Sequence, residues 1–393
     1  MLLRILLILL LLLVLPHLFL LWRFRKHLSV RQMLFLSIPN LLLLAFCLPL
    51  SFFETYSPTN ARITGEFLVF FIGWTGAEIL LALFCLAGFS FHKISALDKI
   101  FTGLGFTFAL LLLSVVAYGH FQGMGRLKIV HEDLYFEDLP NNFDGYRLAV
   151  FSDFHLGTYG SDIRIPRKVT DSILAQRPQA VLFLGDLVNY HVNETQTALT
   201  ELQRLNAPDG VFSVMGNHDY QMHLKWEESE ARQESIRRLQ EVERAAGWKL
   251  LCNEHEILCR NGDTLAIVGV ENDGKPPFPE LGDLRASLNG LPDTLGNGKP
   301  LFKILLSHDP THWRRKVLPQ TDIQLTLSGH THATQFQIGS FSPAKWFYRE
   351  WGGLYREGER QLYVSRGIGG AMLPFRFGAW PEINVITLHK KGK

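Results

Sequence analysis

Charge is scarce at the start of this chain. Residues 1–120 carry only 12 charged side chains, 8 basic and 4 acidic, while residues 121–393 carry the other 64. The first part is therefore too apolar for an ordinary soluble domain, and the second has the charge density of one. No segment has a large cationic excess: the overall +2 divides into +4 and −2. That excludes a strongly basic nucleic-acid binder, and no nucleic-acid partner is expected. Cysteine is also sparse, with four in 393 residues, so neither a disulfide framework nor a structural cysteine–zinc site is expected. Apart from one Leu-rich run there is no low-complexity tract, and 47% hydrophobic residues with 12% aromatics exclude a disordered chain.

What fills the first third is apolar sequence. The runs 5–22, 33–53 and 100–118 contain no charge, and 67–89 contains one, Glu78. About 20 apolar residues are needed to cross a bilayer as a helix. Residues 1–120 are expected to form a membrane domain of four transmembrane helices. Arg23, Arg25, Lys26 and Arg31 crowd the first loop, and Lys93 and Lys99 lie in the third. Lys/Arg-rich loops stay cytoplasmic, which predicts a multi-pass cell (inner) membrane protein whose remaining chain is extracytoplasmic. Glu78 is expected as a protonated carboxyl hydrogen-bonded between helices, because no second intramembrane charge offers a relay.

Residues 121–145 read as a linker and entry strand (127–136). From 146 to 393 a rhythm of strands and helices follows. Strand-like runs are 147–152, 180–184, 211–215, 264–270, 302–307 and 324–328; helical stretches are 166–176, 194–205, 227–246 and 281–288. The alternation predicts a largely parallel α/β core. Five of the runs end in metal-binding residue types: Asp153-Phe154-His155, Gly185-Asp186, Gly216-Asn217-His218-Asp219, Ser307-His308-Asp309 and Gly329-His330-Thr331-His332. Ligands in α/β sheets sit at the carboxyl ends of strands. Extended backbone would point both members of Asp153/His155 and of His330/His332 the same way. Carboxylate, amide and imidazole donors without cysteine suit two divalent ions, Mn, Fe or Zn. Seven donors exceed the needs of one ion and fit two bridged by one carboxylate, the arrangement that clamps both oxygens of a displacement at phosphorus.

In order and spacing, these five blocks resemble the calcineurin-like metallophosphoesterase superfamily over residues 146–388, and the added amino-terminal helices resemble its membrane-anchored bacterial branch. The resemblance implies a four-layer αββα sandwich. It implies Asp153, His155, Asp186 and His332 on one metal, and Asp186, Asn217, His308 and His330 on the other, with Asp186 bridging. His218 would contact the phosphoryl group or protonate the leaving oxygen. The implied reaction is hydrolysis of a phosphate ester or anhydride by a metal-bridging hydroxide. The alternative is a catalytically silent membrane receptor or adaptor. Three positions depart from the family pattern: Asn189 where Asp is common, Ser307 before His308, and Ala333-Thr334 after His332. The first predicts that His218 is held by a carbonyl.

Secondary candidates complete the reading. Asp219 and Asp309 are expected to support ligands rather than to be ligands. Arg366 could reach substrate phosphate with its fork, or stand in a salt bridge. Aromatic residues at 341–355 and 375–380 would wall the site, touch lipid or simply pack. Lipid-linked phosphate leads the expected substrates, with soluble phosphoesters next. Cys47 and Cys85 are expected as buried hydrophobes. Cys252 and Cys259 either face each other across a hairpin centred on 255–256 or lie along one strand.

Overall fold

The structure is a computed structural model describing residues 2–50, 57–91, 93–226, 228–295 and 298–392, with side chains described from residue 11 onward except at 47–50 and 58–59. The chain divides into two compact units, Met1–Gln122 with Leu373–Phe375, and Gly123–Met372 with Arg376–Lys393.

The first unit contains α1 (Leu2–Phe24), α2 (Val30–Leu50), α3 (Pro58–Ser90) and α4 (Ser95–Phe121). Apolar side chains lie on all sides of these helices, and many, including Leu18, Phe35, Leu83 and Leu110, are exposed. A helix that is apolar all round must be covered by protein or lipid. Over the described residues, Asn60–Ser90 and Ser95–Gly125 are long and apolar enough to cross a membrane, and Leu11–Phe24 and Val30–Phe46 are shorter apolar stretches. Two helices of full spanning length are thus found where four were expected. Cys85 is buried and free; Cys47 lies outside the described side chains.

The second unit holds two mixed six-stranded sheets. The first runs β1 (Lys128–Phe136), β12 (Glu382–Lys390), β2 (Tyr146–Phe151), β3 (Ala180–Phe183), β4 (Val211–Ser213) and β5 (Lys249–Leu250). The second runs β10 (Gly353–Glu357), β11 (Arg360–Val364), β9 (Leu325–Ser328), β8 (Phe302–Leu306), β7 (Asp263–Gly269) and β6 (Glu254–Arg260). Pairings are mostly parallel; β12–β2, β10–β11 and β6–β7 are antiparallel.

Side-chain alternation builds the layers. Leu148 and Val150 of β2 join Leu265 and Ile267 of β7 and Phe302, Ile304 and Leu306 of β8 in one core between the sheets. The intervening Ala149 and Phe151 face a second core, with Val169 and Ile173 from α5 (Arg164–Ala175), Leu202 from α6 (Leu199–Arg204) and Leu239 from α7 (Ser229–Ala245). On the other side Ala266, Val268 and Leu305 pack with Leu284 of α8 (Leu284–Leu288), Trp313 and Val317. Strands buried on both faces read as continuous apolar runs, which explains their visibility in the sequence.

One expectation changes here and one open alternative is decided. The helix expected over 194–205 is divided into a 3-10 turn at Val192–Thr195 and α6. Its first residue, Glu194, is diverted to cap loop amides. Cys252 and Cys259 are free. The hairpin turns at Asn261-Gly262, where both residues have positive φ, so β6 runs straight through 255–256 and pairs Cys259 with Thr264.

Candidate metal centre

The ends of five strands converge. β2 leads into Asp153 and His155, β3 into Asp186, and β4 into Asn217 and His218; β8 leads into His308, and β9 into His330 and His332. One sheet supplies the first five residues and the other supplies the last three. All eight are buried.

Their donor atoms form two groups that share one residue. Asp153, His155, Asp186 and His332 bring one ligand atom each within 4.8 Å of one another, and so do Asp186, His308 and His330. In the first group, His332 Nε2 lies 3.1 Å from His155 Nε2 and 3.2 Å from Asp153 Oδ1. Asp186 Oδ2 lies 3.5 Å from His155 Nε2 and 3.2 Å from His308 Nε2. Asn217 Oδ1 sits 2.7 Å from His330 Nδ1.

This donor set fits cations. His308 gives its Nδ1 proton to the Leu184 carbonyl at 2.8 Å, which turns the Nε2 lone pair toward Asp186, and that Nε2 has no hydrogen-bond partner. Lone pairs this close repel unless a proton or a cation lies between them. With a proton there, burial opposes the charged imidazole, but the Asp186 and Asp153 carboxylates outweigh it and push His308 up to about 10. Burial also works against ionised Asp186, yet the imidazoles of His308, His218 and His155 hold it well below the usual carboxylate range. The site is built to keep these carboxylates charged.

The expected extended backbone at the two paired motifs is not what forms. Asp153, His155, Asp186, His330 and His332 all have φ between 48° and 73°. Strand hydrogen bonding has ended at these points, and the chain must fold back over the sheet end. Non-glycine residues in this left-handed region carry strain, and they persist where surrounding contacts fix them. Gly216 and Gly329 provide the space: a Cβ on Gly216 would fall 2.2 Å from Asp186 Oδ1, and one on Gly329 would fall 2.4 Å from Asp153 Oδ2.

Backbone amides and buried carboxylates lock the loops. Asp219 accepts at 2.8 Å from the N–H groups of Asp186, Leu187 and Gly216, joining the β3 and β4 loops. Glu194 accepts from Gly157 at 2.9 Å, Asn189 at 2.6 Å and Tyr190 at 2.8 Å, joining the loops after β2 and β3. His218 donates from Nδ1 to the backbone carbonyl of Asn189 at 2.8 Å, and its own N–H donates to Asp186 Oδ1 at 2.8 Å. The carbonyl at position 189 thus orients the imidazole.

Arg366 stands in an ion pair: Nη1 donates to Glu382 at 2.9 Å and Nε to Gln337 at 3.0 Å. A carboxylate occupies the fork that the sequence offered to phosphate. Asp309 Oδ2 lies 3.7 Å from His330 Nε2. Two residues at the site, Arg376 and His223, were missed in the sequence, and Tyr348 was expected only as one of the aromatics that wall the site, touch lipid or pack. Tyr348 Oη is 3.0 Å from His330 Nε2. The fully buried Arg376 donates to His332 Nδ1 at 3.0 Å. The His223 ring lies 4.2 Å from that of His218. Tyr348 and Arg376 fall inside the two aromatic stretches, whose packing signal hid them; His223 carries no spacing signal.

Residues 146–334 match the calcineurin-like phosphoesterase family model. The chain is 31% identical over 262 residues to the uncharacterised metallophosphoesterase YkuE of Bacillus subtilis (strain 168), covering 64% of this chain and 81% of that one. It is 29% identical over 291 residues to a transmembrane protein with metallophosphoesterase domain of Danio rerio, covering 71% of this chain and 62% of the fish protein. Among solved structures, the NAD nucleotidase of Haemophilus influenzae aligns with a TM-score of 0.37 at 13% identity, covering 56% of this chain and 45% of that one. With its buried His/Asp cluster and these relatives, the chain belongs to the calcineurin-like phosphoesterase family and is a metal-dependent phosphoesterase.

Proposed function

We propose that this chain is a membrane-anchored phosphoesterase holding two divalent ions and acting on a lipid-linked phosphate. The observation that carries the dinuclear reading is the pair of buried donor groups sharing Asp186. In this reading Asp153, His155, Asp186 and His332 hold one ion, and Asp186, Asn217, His308 and His330 hold the other, within a four-layer αββα unit at residues 146–393. Bound ions supply positive charge against the phosphoryl oxygens and acidify water.

The chain's own residues do the rest. The Asn189 carbonyl accepts a hydrogen bond from His218 Nδ1–H, so Nε2 is the edge that, when protonated, can give a proton to the leaving oxygen. A positioned imidazole contributes roughly 10²–10⁴-fold in such a step. Asp186 Oδ1, by accepting the His218 N–H, ties the position of the acid to the metal groups.

Two features support a lipid-linked substrate. The four apolar helices of residues 1–120 would hold the enzyme in a bilayer, raising its effective concentration against lipids there. Trp346 and Phe347 are 69% and 74% exposed and immediately precede Tyr348, which contacts His330; they offer apolar surface next to the site. The purified full chain with Mn²⁺ is expected to hydrolyse an aryl phosphate monoester or diester, and Asp186→Ala and His218→Ala are each expected to lose that activity. A wild type inert on every phosphate with Mn, Fe and Zn would overturn the reading.

A further inference from the structure

A second site lies within the helical unit. His17 of α1, Ser37 and Asn40 of α2 and Glu78 of α3 meet in its interior. Glu78 Oε1 is 2.8 Å from His17 Nδ1 and accepts from Asn40 Nδ2 at 2.8 Å, while His17 Nε2 is 2.9 Å from Ser37 Oγ. Ser37 gives its own proton to the Met33 carbonyl at 2.9 Å. Its oxygen therefore accepts from His17 Nε2–H. Asn40 Nδ2 also lies 2.9 Å from His17 Nδ1, so the Asn40 amide reaches both His17 Nδ1 and Glu78 Oε1.

Two acceptors in this cluster are unsatisfied. Glu78 Oε2 and Asn40 Oδ1 are buried with no hydrogen-bond partner, and the Glu78 residue is only 9% exposed. An acceptor left unpaired in an apolar interior is destabilising until a donor reaches it. Glu78 and His17 also line a cavity of about 410 Å³, whose other walls include Leu20, Phe24, Trp74 and Leu110. Pockets of roughly 300–1,000 Å³ that are mostly apolar, with few polar groups to fix orientation, are the usual form of a small-molecule site.

We propose that this cavity binds a long-chain alcohol: an apolar chain along the Leu20, Phe24 and Leu110 walls and a hydroxyl donating to the Glu78 carboxyl group. Unsatisfied acceptors select a donor, which excludes plain alkanes and carboxylates. The site is separate from the metal centre and stands whatever the enzyme's substrate is.

The test uses the full chain in nanodiscs and a diazirine-bearing hexadecanol. Photolabelling is expected within α1, α3 and α4 at the cavity walls, with competition by hexadecanol but not by hexadecane or hexadecanoic acid. Leu110→Trp, which fills the cavity without touching the polar cluster, is expected to abolish labelling. Glu78→Gln is expected to weaken it about tenfold, the effect of losing one hydrogen bond. Both variants are checked for unchanged elution on gel filtration, and because Leu110→Trp leaves the buried cluster intact, it decides the matter if Glu78→Gln does not assemble. Labelling outside the cavity, equal competition by the alkane or the carboxylate, or labelling that survives Leu110→Trp would overturn the proposal.

Discussion

Glu194 and Asp219 serve the site without being among its metal-type donors. Each is a buried carboxylate whose oxygens collect backbone N–H groups from two loops. Removing such an acceptor strands several buried donors at once, so Glu194→Ala is expected to cost about 3–5 kcal/mol of stability in urea titrations. It should also lower metal affinity, because Gly157 and Asn189 follow His155 and Asp186 closely in the chain. Tyr348→Phe removes the hydroxyl at His330 Nε2 and is expected to weaken metal binding by roughly 10-fold with little loss of stability; isothermal titration with Mn²⁺ measures it. Glu243 supplies a pH test. Burial first, and the nearby Asp219 carboxylate second, push its carboxyl from the usual 4.5 up to about 8. A raised folded-state value means the folded protein binds the proton more tightly. That contribution is complete below about pH 4.5 and is lost as pH rises through about 8, on the order of 5 kcal/mol in all. Glu243→Gln is expected to flatten the fall in stability between these limits and to be the more stable form at pH 8.5. Parallel pH slopes for wild type and variant would contradict this.

At the scale of elements, β12 has the largest structural consequence for its length. It lies between β1 and β2, parallel to one and antiparallel to the other. A chain ending at Pro381 exposes both neighbours' edges and loses Ile386 and Leu388 from the core between the sheets. It is expected to show no cooperative unfolding by circular dichroism. The sequence revealed the strands whose ends carry the metal-type residues, because they are doubly buried and read as unbroken apolar runs. It did not reveal β12, β10 or β11, whose polar and charged positions interrupt that run, and it left β6 as one of two alternatives. Residue types and block order pointed to the residues that the strand ends bring together, while the way they are held was less legible. Spacing says that Asp153 and His155 are two apart, not that both adopt left-handed backbone. Arg376 sits between two phenylalanines and reads as packing. His17 escaped notice because a histidine within a leucine-rich run adds nothing to a formal charge count.

At the scale of the whole molecule, the division of charge matches a division of labour: an apolar helical unit and a charged, layered one. If the first-loop cations hold α1 and α2 in the expected orientation and all four helices span, the carboxyl terminus lies outside. A reporter fused after Lys393 that is active only when exported is then expected to work, and one active only in the cytoplasm should be silent; the opposite pattern would reverse the topology. Whether two cations share Asp186, as proposed, is decided by the metal content of the purified, Mn²⁺-loaded chain, measured by plasma mass spectrometry beside turnover of an aryl phosphoester. Two equivalents per active wild-type chain, falling to one or none with loss of turnover in Asp186→Ala, is the expected result. A fully active wild type with a single equivalent, or an Asp186→Ala variant that keeps both its metals and its turnover, would contradict it.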